Sequence, residues 1–222
     1  MKTIRISALA AILLSSVVFL NGCKKNDPEP GLSVKIQQIV PADLLSTMKA
    51  QGMPINEGTT PPNIEGIFAS SPHTLAATYE GDFDKVGRTY SDFIVKFSAQ
   101  NAADGSVNID IKNGSAVSTG IGGFVSGSGN KFSLFAETDL RDGTATAKQI
   151  RVFSGEITSA GIKDFYSTVL LKEKNDPNNR LIDVGKMRIV KDGNGLASSR
   201  TTFRIAANPE TVTPVGHSDS EK

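Results

Sequence analysis

Histidine and cysteine, which most often supply catalytic bases, nucleophiles and zinc ligands, are scarce in this chain. Its 222 residues include two histidines, His73 and His217, and one cysteine, Cys23. A zinc site needs three or four nitrogen or sulfur ligands, which two distant histidines and one cysteine do not provide. His73 follows a proline, where a solvated side chain is the ordinary interpretation. The inventory therefore predicts a non-enzymatic protein without a cofactor.

Carboxylates offer the remaining chemistry. Glu80, Asp82 and Asp84 alternate along the chain, and calcium is bound by oxygen ligands alone. Their spacing lacks the full ligand order of a calcium loop, so they are weak calcium candidates and we expect no metal. Paired carboxylates for glycoside hydrolysis are a less favoured alternative, because nothing in the sequence places two of the 23 acidic residues across a cleft. The Gly-x-Ser-x-Gly turn of many hydrolases does not occur.

The overall charge argues against a nucleic-acid partner. Lysine and arginine number 24 and the acidic residues 23, whereas proteins that bind nucleic acids concentrate positive charge against the phosphates. Tryptophan is absent and aromatic residues make up 6% of the chain, which weakens the case for an aromatic sugar platform. The composition therefore argues against nucleic-acid binding and against an aromatic sugar-binding platform, and it does not indicate a particular ligand.

The first 22 residues have the layout of an export signal. Lys2 and Arg5 precede an uncharged apolar run of about 13 residues, which is shorter than the roughly 20 that a membrane-spanning helix needs. The run ends in Leu20-Asn21-Gly22-Cys23. This tetrad resembles the lipobox of bacterial lipoproteins. The resemblance implies that residues 1–22 are removed and that Cys23 is acylated, so that the protein's first partner is a membrane.

The resemblance also implies a location. Two or more acyl chains hold a protein stably on a membrane, whereas one chain holds it only marginally. Lys24 directly after the cysteine is similar to the outer-membrane class of lipoproteins. We therefore expect a lipid-anchored protein of the bacterial outer membrane, with the periplasmic and the cell-surface face both open. Residues 23–31 are polar, contain two prolines and read as a stiff tether.

One β-rich domain is expected to follow the tether. It covers residues 32–207, and residues 208–222 are polar and read as a flexible C-terminal tail. Near its start, Pro41, Asp43 and Gly52 are placed as the first-turn and C-terminal signals of a short amphipathic helix. The sequence therefore predicts one helix near residues 41–51.

Short strand-like runs then alternate with turn signals to the end of the domain. Asn-Gly and Asp-Gly pairs at several turns favour tight hairpins, and successive hairpins give antiparallel neighbours. The predicted strands are residues 64–70, 75–80, 88–99, 106–112, 116–125, 131–139, 145–157, 162–174, 181–191 and 196–204. The predicted fold class is therefore mainly β, either an antiparallel up-and-down barrel or a sandwich. The glycine-rich run at residues 120–124 favours the barrel, because such glycines often mark bends.

The strand pattern resembles bacterial lipoproteins with a lipocalin-like, or calycin-like, β-barrel. Gly66-Ile67-Phe68 is similar to the Gly-x-Trp signature of lipocalins, with Phe in place of Trp. The resemblance implies a small apolar or amphiphilic ligand inside the barrel. The expected lining residues are phenylalanines of the predicted strands: Phe93, Phe97, Phe132, Phe135, Phe153 and Phe165.

Two alternatives stay open from the residues. The phenylalanines fit a packed core without a cavity equally well, because any barrel interior needs apolar side chains. The protein is then a structural or accessory subunit of an outer-membrane complex, with an envelope protein as its partner. A cavity of roughly 300 Å³ or more favours ligand binding, and a filled barrel with an exposed apolar patch favours the accessory subunit.

Overall fold

The computed structural model describes residues 31–204, apart from the side chain of Ile121, and consists mainly of β-strands. Within these residues two helices, α1 (Val34–Ile39) and α2 (Ala42–Ala50), precede the strands. The predicted signal at 1–22, Cys23 with the tether as far as residue 30, and the tail at 208–222 lie outside the described residues, as does His217. The strands are β1 (Thr59–Thr60), β2 (Gly66–Ser70), β3 (His73–Ala77), β4 (Thr89–Tyr90), β5 (Phe93–Ser98), β6 (Ser106–Asn113), β7 (Ala116–Ser128), β8 (Lys131–Asp142), β9 (Ala145–Thr158), β10 (Gly161–Asn175), β11 (Met187–Asp192) and β12 (Leu196–Arg200).

Eight of the strands close into an antiparallel barrel. Neighbours pair in the order β2, β5, β6, β7, β8, β9, β10 and β12, and β12 pairs in turn with β2. Every pairing in this ring joins strands that run in opposite directions, and most are neighbours in sequence. The prediction of a mainly β, antiparallel up-and-down fold is therefore confirmed, and the strand pairing selects the barrel.

Three short strands lengthen the wall towards one end. Each is separated from a strand of the ring by a few residues: β3 follows β2, β4 precedes β5, and β11 precedes β12. β3 pairs with β4 and with β11, and β11 pairs with β10. The loops at this end connect β3 to β4 and β10 to β11. We call it the open end, because the barrel wall extends beyond the packed core there.

The helices lie against the outer face of the barrel. Ser33 caps α1, where its hydroxyl accepts a hydrogen bond from the Ile36 amide at 3.3 Å. Ile36 and Met48 are buried against Phe135 and Val152 of the barrel wall. The structure confirms the predicted helix as α2. The sequence analysis missed α1, because its six residues bury one side chain and show no helical period.

The glycine-rich run lies inside β7, at a break in strand register. Pairing of β7 with β8 shifts between Thr119 and Phe124. A Cβ added at Gly120 would lie 2.7 Å from the Glu137 carbonyl oxygen, and Gly122 has a φ of +92°. A larger residue at Gly120 would have to move the neighbouring strand, whereas at Gly122 it would be strained by the positive φ, with open space around it. These glycines therefore let the wall bend, as the sequence indicated.

Candidate functional site

Five of the six predicted lining phenylalanines meet inside the barrel. Phe97 lies 5.5 Å from Phe153 and 6.3 Å from Phe132, measured between ring centroids. Phe153 and Phe165 are 6.2 Å apart, and Phe93 lies 6.3 Å from Phe153. All five rings are buried, so they fill the middle of the barrel as a packed aromatic cluster.

Phe135 does not join this cluster. It lies on the opposite face of β8 from Phe132 and packs under the helices with Ile36 and Met48. Of the six phenylalanines, Phe93 borders an open cavity. Of the two alternatives that the sequence left open, the middle of the barrel therefore shows the packed core, and a cavity lies at the open end.

The open-end cavity has a volume of about 350 Å³. Phe93 lies at its aromatic side, and the apolar walls include Leu140, Leu171 and Val190. The loop before β11 contributes Ile182. Cavities that bind small molecules span about 300–1,000 Å³ and combine apolar walls with a few placed polar groups. This cavity meets both criteria, because polar side chains enter the same space.

Arg151 is the charged side chain that strand alternation directs into the barrel from β9, two residues before Phe153. Its Nε donates a hydrogen bond to Gln149 Oε1 at 3.0 Å, and its Nη1 donates to the Thr168 carbonyl oxygen at 3.3 Å. The guanidinium lies 5.9 Å from the Phe93 ring centroid, within cation–π range. Burial lowers the pKa of Arg151 to about 10, which leaves it charged at neutral pH. Among residues 31–204, no carboxylate forms an ion pair with it.

The other charged residues that line the cavity are paired. Arg188 Nε and Nη2 lie 2.7 and 2.5 Å from the carboxylate oxygens of Asp82, and Arg188 Nη1 lies 2.9 Å from Asp84. At the rim, Arg180 pairs with Asp142 at 3.0 Å. The hydrogen bonds from Arg188 hold the pKa of Asp82 well below its usual range, so Asp82 stays ionised.

The carboxylates considered for calcium are therefore engaged elsewhere. Asp82 and Asp84 are buried with Arg188, and Asp82 also accepts a hydrogen bond from Thr78. Glu80 is exposed to solvent. Within the described chain, no group of three or more His, Cys, Asp or Glu side chains is arranged to hold a metal ion.

His73 lies in the wall of the barrel beneath the cavity mouth. The expectation of a solvated side chain is wrong, since His73 is 3% exposed and stacks on Phe93 with 4.4 Å between ring centroids. Its Nδ1 lies 3.1 Å from Ser70 Oγ. Burial and, secondarily, the charge of Arg151 lower the pKa of His73 to about 3. The imidazole is therefore neutral at physiological pH and serves as a packing residue.

Two hollows of greater volume lie on the outer surface of the described chain. The larger, about 800 Å³, runs between α1 and the loop that connects β5 to β6, where Lys35 and Asp104 pair at 2.9 Å. The smaller, about 480 Å³, follows the outer ends of β7 to β10 and includes Asp139, Lys148 and Glu173. Neither is bordered by a buried charge without a partner, so the open-end cavity is the stronger candidate site.

The sequence analysis missed Arg151 and Gln149. Both share one face of β9 with the buried Ala147 and Phe153, because side chains alternate along a strand. Two long polar residues at the inward positions of an otherwise apolar face are a detectable signal. The sequence cannot show that Arg151 stays unpaired, because its potential partners come from distant strands and loops.

Nothing matched this chain in comparisons with protein-family models, with curated proteins and with solved structures. Neither helix in residues 31–204 is long and apolar enough to cross a membrane. The function therefore has to be inferred from the chemistry of the cavity.

Proposed function

We propose that this chain is a non-enzymatic binding protein that holds a small amphiphilic molecule in its open-end cavity. The observation that carries the proposal is the composition of that cavity. Leu140, Leu171 and Val190 offer apolar walls, while Gln149 and Arg151 offer a polar end inside the barrel. A molecule with one apolar and one polar end satisfies both parts of this surface.

The size of the cavity limits the ligand. Its volume is about 350 Å³. A water-sized group takes roughly 30 Å³, so the space fits about a dozen such groups. The aromatic cluster below Phe93 blocks deeper entry. We therefore expect a short-chain or single-ring compound, held near the mouth of the barrel.

The proposal is tested by filling the cavity. The protein is the mature chain, residues 23–222, with Cys23→Ser so that no acyl chain is added. Val169 lines the cavity, and Val169→Trp places an indole in it. The matched control is Val117→Trp on the outer surface, where Val117 is 41% exposed. Native mass spectrometry after incubation with decanoate and with decan-1-ol should detect one bound molecule in the control and none in Val169→Trp.

Two results would contradict the proposal. One is the absence of any bound amphiphile in the unfilled protein, and the other is equal binding by the two tryptophan variants. Circular dichroism establishes that Val169→Trp is folded, and Val169→Phe serves as a smaller filler if it is not. The experiment thus distinguishes loss of binding because the cavity is filled from loss of binding because the variant is unfolded.

The accessory subunit is the second candidate function, and exposed apolar side chains favour it. Phe83 and Val86 are 63% and 64% exposed in the loop between β3 and β4, and Val184 is 51% exposed in the loop before β11. All three belong to the open end, where an envelope protein would find an apolar contact. Co-purification of one discrete protein, lost in Phe83→Ser, would favour this function over the carrier.

We also propose that the protein is held on the bacterial outer membrane by acylated Cys23. The support is the sequence Leu20-Asn21-Gly22-Cys23 after the apolar run. Labelled palmitate should enter the wild-type protein and should not enter Cys23→Ala. Equal labelling of both proteins, or labelling of neither, would contradict the anchor without bearing on the cavity.

A further inference from the structure

The charged side chains around the open-end cavity leave one positive charge uncompensated. The cavity lining includes Asp142, Arg151, Arg180 and Arg188, together with the neutral His73. Arg180 pairs with Asp142. Arg188 pairs with Asp82 and Asp84 of the neighbouring loop, and Asp84 pairs with Arg88 as well, so these three aspartates face three arginines. Arg151 is therefore the lining charge that has no carboxylate partner within residues 31–204.

We infer that the ligand carries a single carboxylate, which forms an ion pair with Arg151, and an apolar chain or ring that fills the remaining cavity. The inference rests on the proposed function, because it names the chemical class of the ligand for the same site. It goes beyond that function, since an uncharged amphiphile would also satisfy the size and the apolar walls.

The hydrogen bonds of Arg151 leave room for this ion pair. A guanidinium has five N–H donors. Protein acceptors take Nε and one position on Nη1, and no bond to Nη2 is formed within the described chain. A carboxylate can therefore approach the guanidinium end-on and accept from both Nη atoms, in the bidentate geometry that favours arginine.

A partly buried cation is costly when neutral groups are its only partners. Removing a guanidinium from water is unfavourable, and neutral acceptors offset only part of the penalty. Here those acceptors are Gln149 and the Thr168 carbonyl, with the face of Phe93 alongside. A ligand carboxylate completes the set of interactions that the protein itself leaves open.

The same charges argue for one negative charge on the ligand. Asp82, Asp84 and Asp142 lie around the cavity, already paired with Arg188 and Arg180. A dianion such as a phosphate monoester would place a second negative charge near these aspartates, and the lining residues within 31–204 offer no second unpaired cation to meet it. An amine would be repelled by Arg151. A monocarboxylate matches the one available charge.

The ligand class has two possible sources, a fatty acid and an aromatic acid. Decanoate and 4-phenylbutyrate both suit a cavity of about a dozen water-sized groups. Comparing the two acids distinguishes the sources, because an aliphatic chain and a ring fill the space beside Phe93 differently. The shared prediction is that each acid binds more tightly than its uncharged or cationic analogue.

The test is isothermal titration of the mature chain carrying Cys23→Ser, with ligands kept below micelle formation. Decanoate is compared with decan-1-ol and decylamine, and 4-phenylbutyrate with 4-phenylbutanol. On the wild-type cavity we expect each acid to bind at least about tenfold more tightly than its alcohol, the ratio that a charge-assisted hydrogen bond supplies. Decylamine should bind more weakly than either decyl ligand.

Variants of Arg151 assign the preference to this residue. Arg151→Gln removes the charge and should reduce the ratio between the affinities for acid and alcohol to about one, whatever the affinity for the alcohol itself becomes. Arg151→Lys retains a positive charge and should retain part of the preference. Urea unfolding of both variants establishes that they are folded.

The outcomes separate the two proposals. If alcohols bind as tightly as acids, or if Arg151→Gln keeps the preference, the carboxylate inference is overturned while the binding function stands. If no ligand binds the wild-type protein, the proposed function fails and the inference fails with it. Preference for the acids that depends on Arg151 supports both.

Discussion

Acidification should weaken the fold through His73, because this side chain is buried in its neutral form. Its ring is 3% exposed, stacked on Phe93 and close enough to Arg151 to feel its charge. Burial, then Arg151, lower the pKa of His73 in the folded protein to about 3, from an ordinary value of 6.5. At pH values between about 3 and 6.5, His73 is therefore protonated in the unfolded chain and neutral in the folded chain.

The sign of the effect follows from this difference. The free energy of unfolding rises with pH wherever the unfolded chain binds more protons. The contribution of His73 is complete above its unfolded pKa of 6.5 and is lost as the pH falls towards 3. A difference of one bound proton changes the free energy of unfolding by about 1.4 kcal/mol for each pH unit. His73 therefore lowers the free energy of unfolding by about 2 kcal/mol between pH 6.5 and about pH 5.

Urea unfolding followed by circular dichroism measures this loss at about pH 7.5 and about pH 5. His73→Phe keeps a ring against Phe93 but cannot titrate. Between these two pH values, the free energy of unfolding of wild type should fall by about 2 kcal/mol more than that of His73→Phe, whatever the stabilities of the two proteins at the higher pH. The carboxylates contribute equally to both proteins and cancel in the comparison.

His217→Gln serves as the control, because the chain has two histidines and this variant makes His73 the sole one. Its imidazole proton signal in NMR should show no titration between about pH 8 and about pH 5. Equal losses in wild type and His73→Phe, or a titration midpoint near 6.5, would refute the account of His73.

Two further substitutions test the barrel and its charge cluster. Both Gly161 and Gly143 have a positive φ, of +141° and +62°, but an added Cβ would lie 2.1 Å from a carbonyl oxygen of β12 at Gly161 and in open space at Gly143. Gly161→Ala should therefore destabilise the fold by at least about 2 kcal/mol more than Gly143→Ala. Asp82→Asn leaves Arg188 short of one carboxylate and should cost about 2 kcal/mol or more, while Glu173→Gln at an exposed pair should leave the urea midpoint unchanged.

Both comparisons can fail. Equal effects of the two glycine substitutions would contradict the close approach of β10 and β12 that completes the ring. A neutral Asp82→Asn variant would contradict the buried ion pair with Arg188. In each case urea unfolding gives the free energies, and an unchanged slope with denaturant establishes that the same extent of chain unfolds.

Strand alternation and turn chemistry made most of the barrel predictable. Asn113-Gly114 and Asp142-Gly143 mark tight hairpins of the structure, and the strands beside them begin within a residue or so of their predicted positions. The predicted strand at 181–191 starts late, at Met187, because the residues before it form the loop over the cavity. Local pattern cannot distinguish a strand from an apolar loop that covers a site.

The candidate site was less accessible to sequence reasoning. Phe135 is an odd number of positions from Phe132, so alternation alone places the two on opposite faces of β8. Grouping them by composition was therefore a mistake that the sequence could have prevented. The burial of Phe135 under the helices and the neutral partners of Arg151 depend on contacts between distant segments, which no single stretch of sequence encodes.

The central claim is that this barrel binds an amphiphile at its open end. The most direct test of this claim is to locate the bound ligand. Amide chemical shifts of the mature chain with Cys23→Ser are measured by NMR as decanoate is added. We expect saturable shifts at cavity residues, including Gln149, Arg151 and Val190, with little change at the outer groove beside Lys35 and Asp104. Shifts confined to the outer groove, or no saturable shifts at all, would contradict the account.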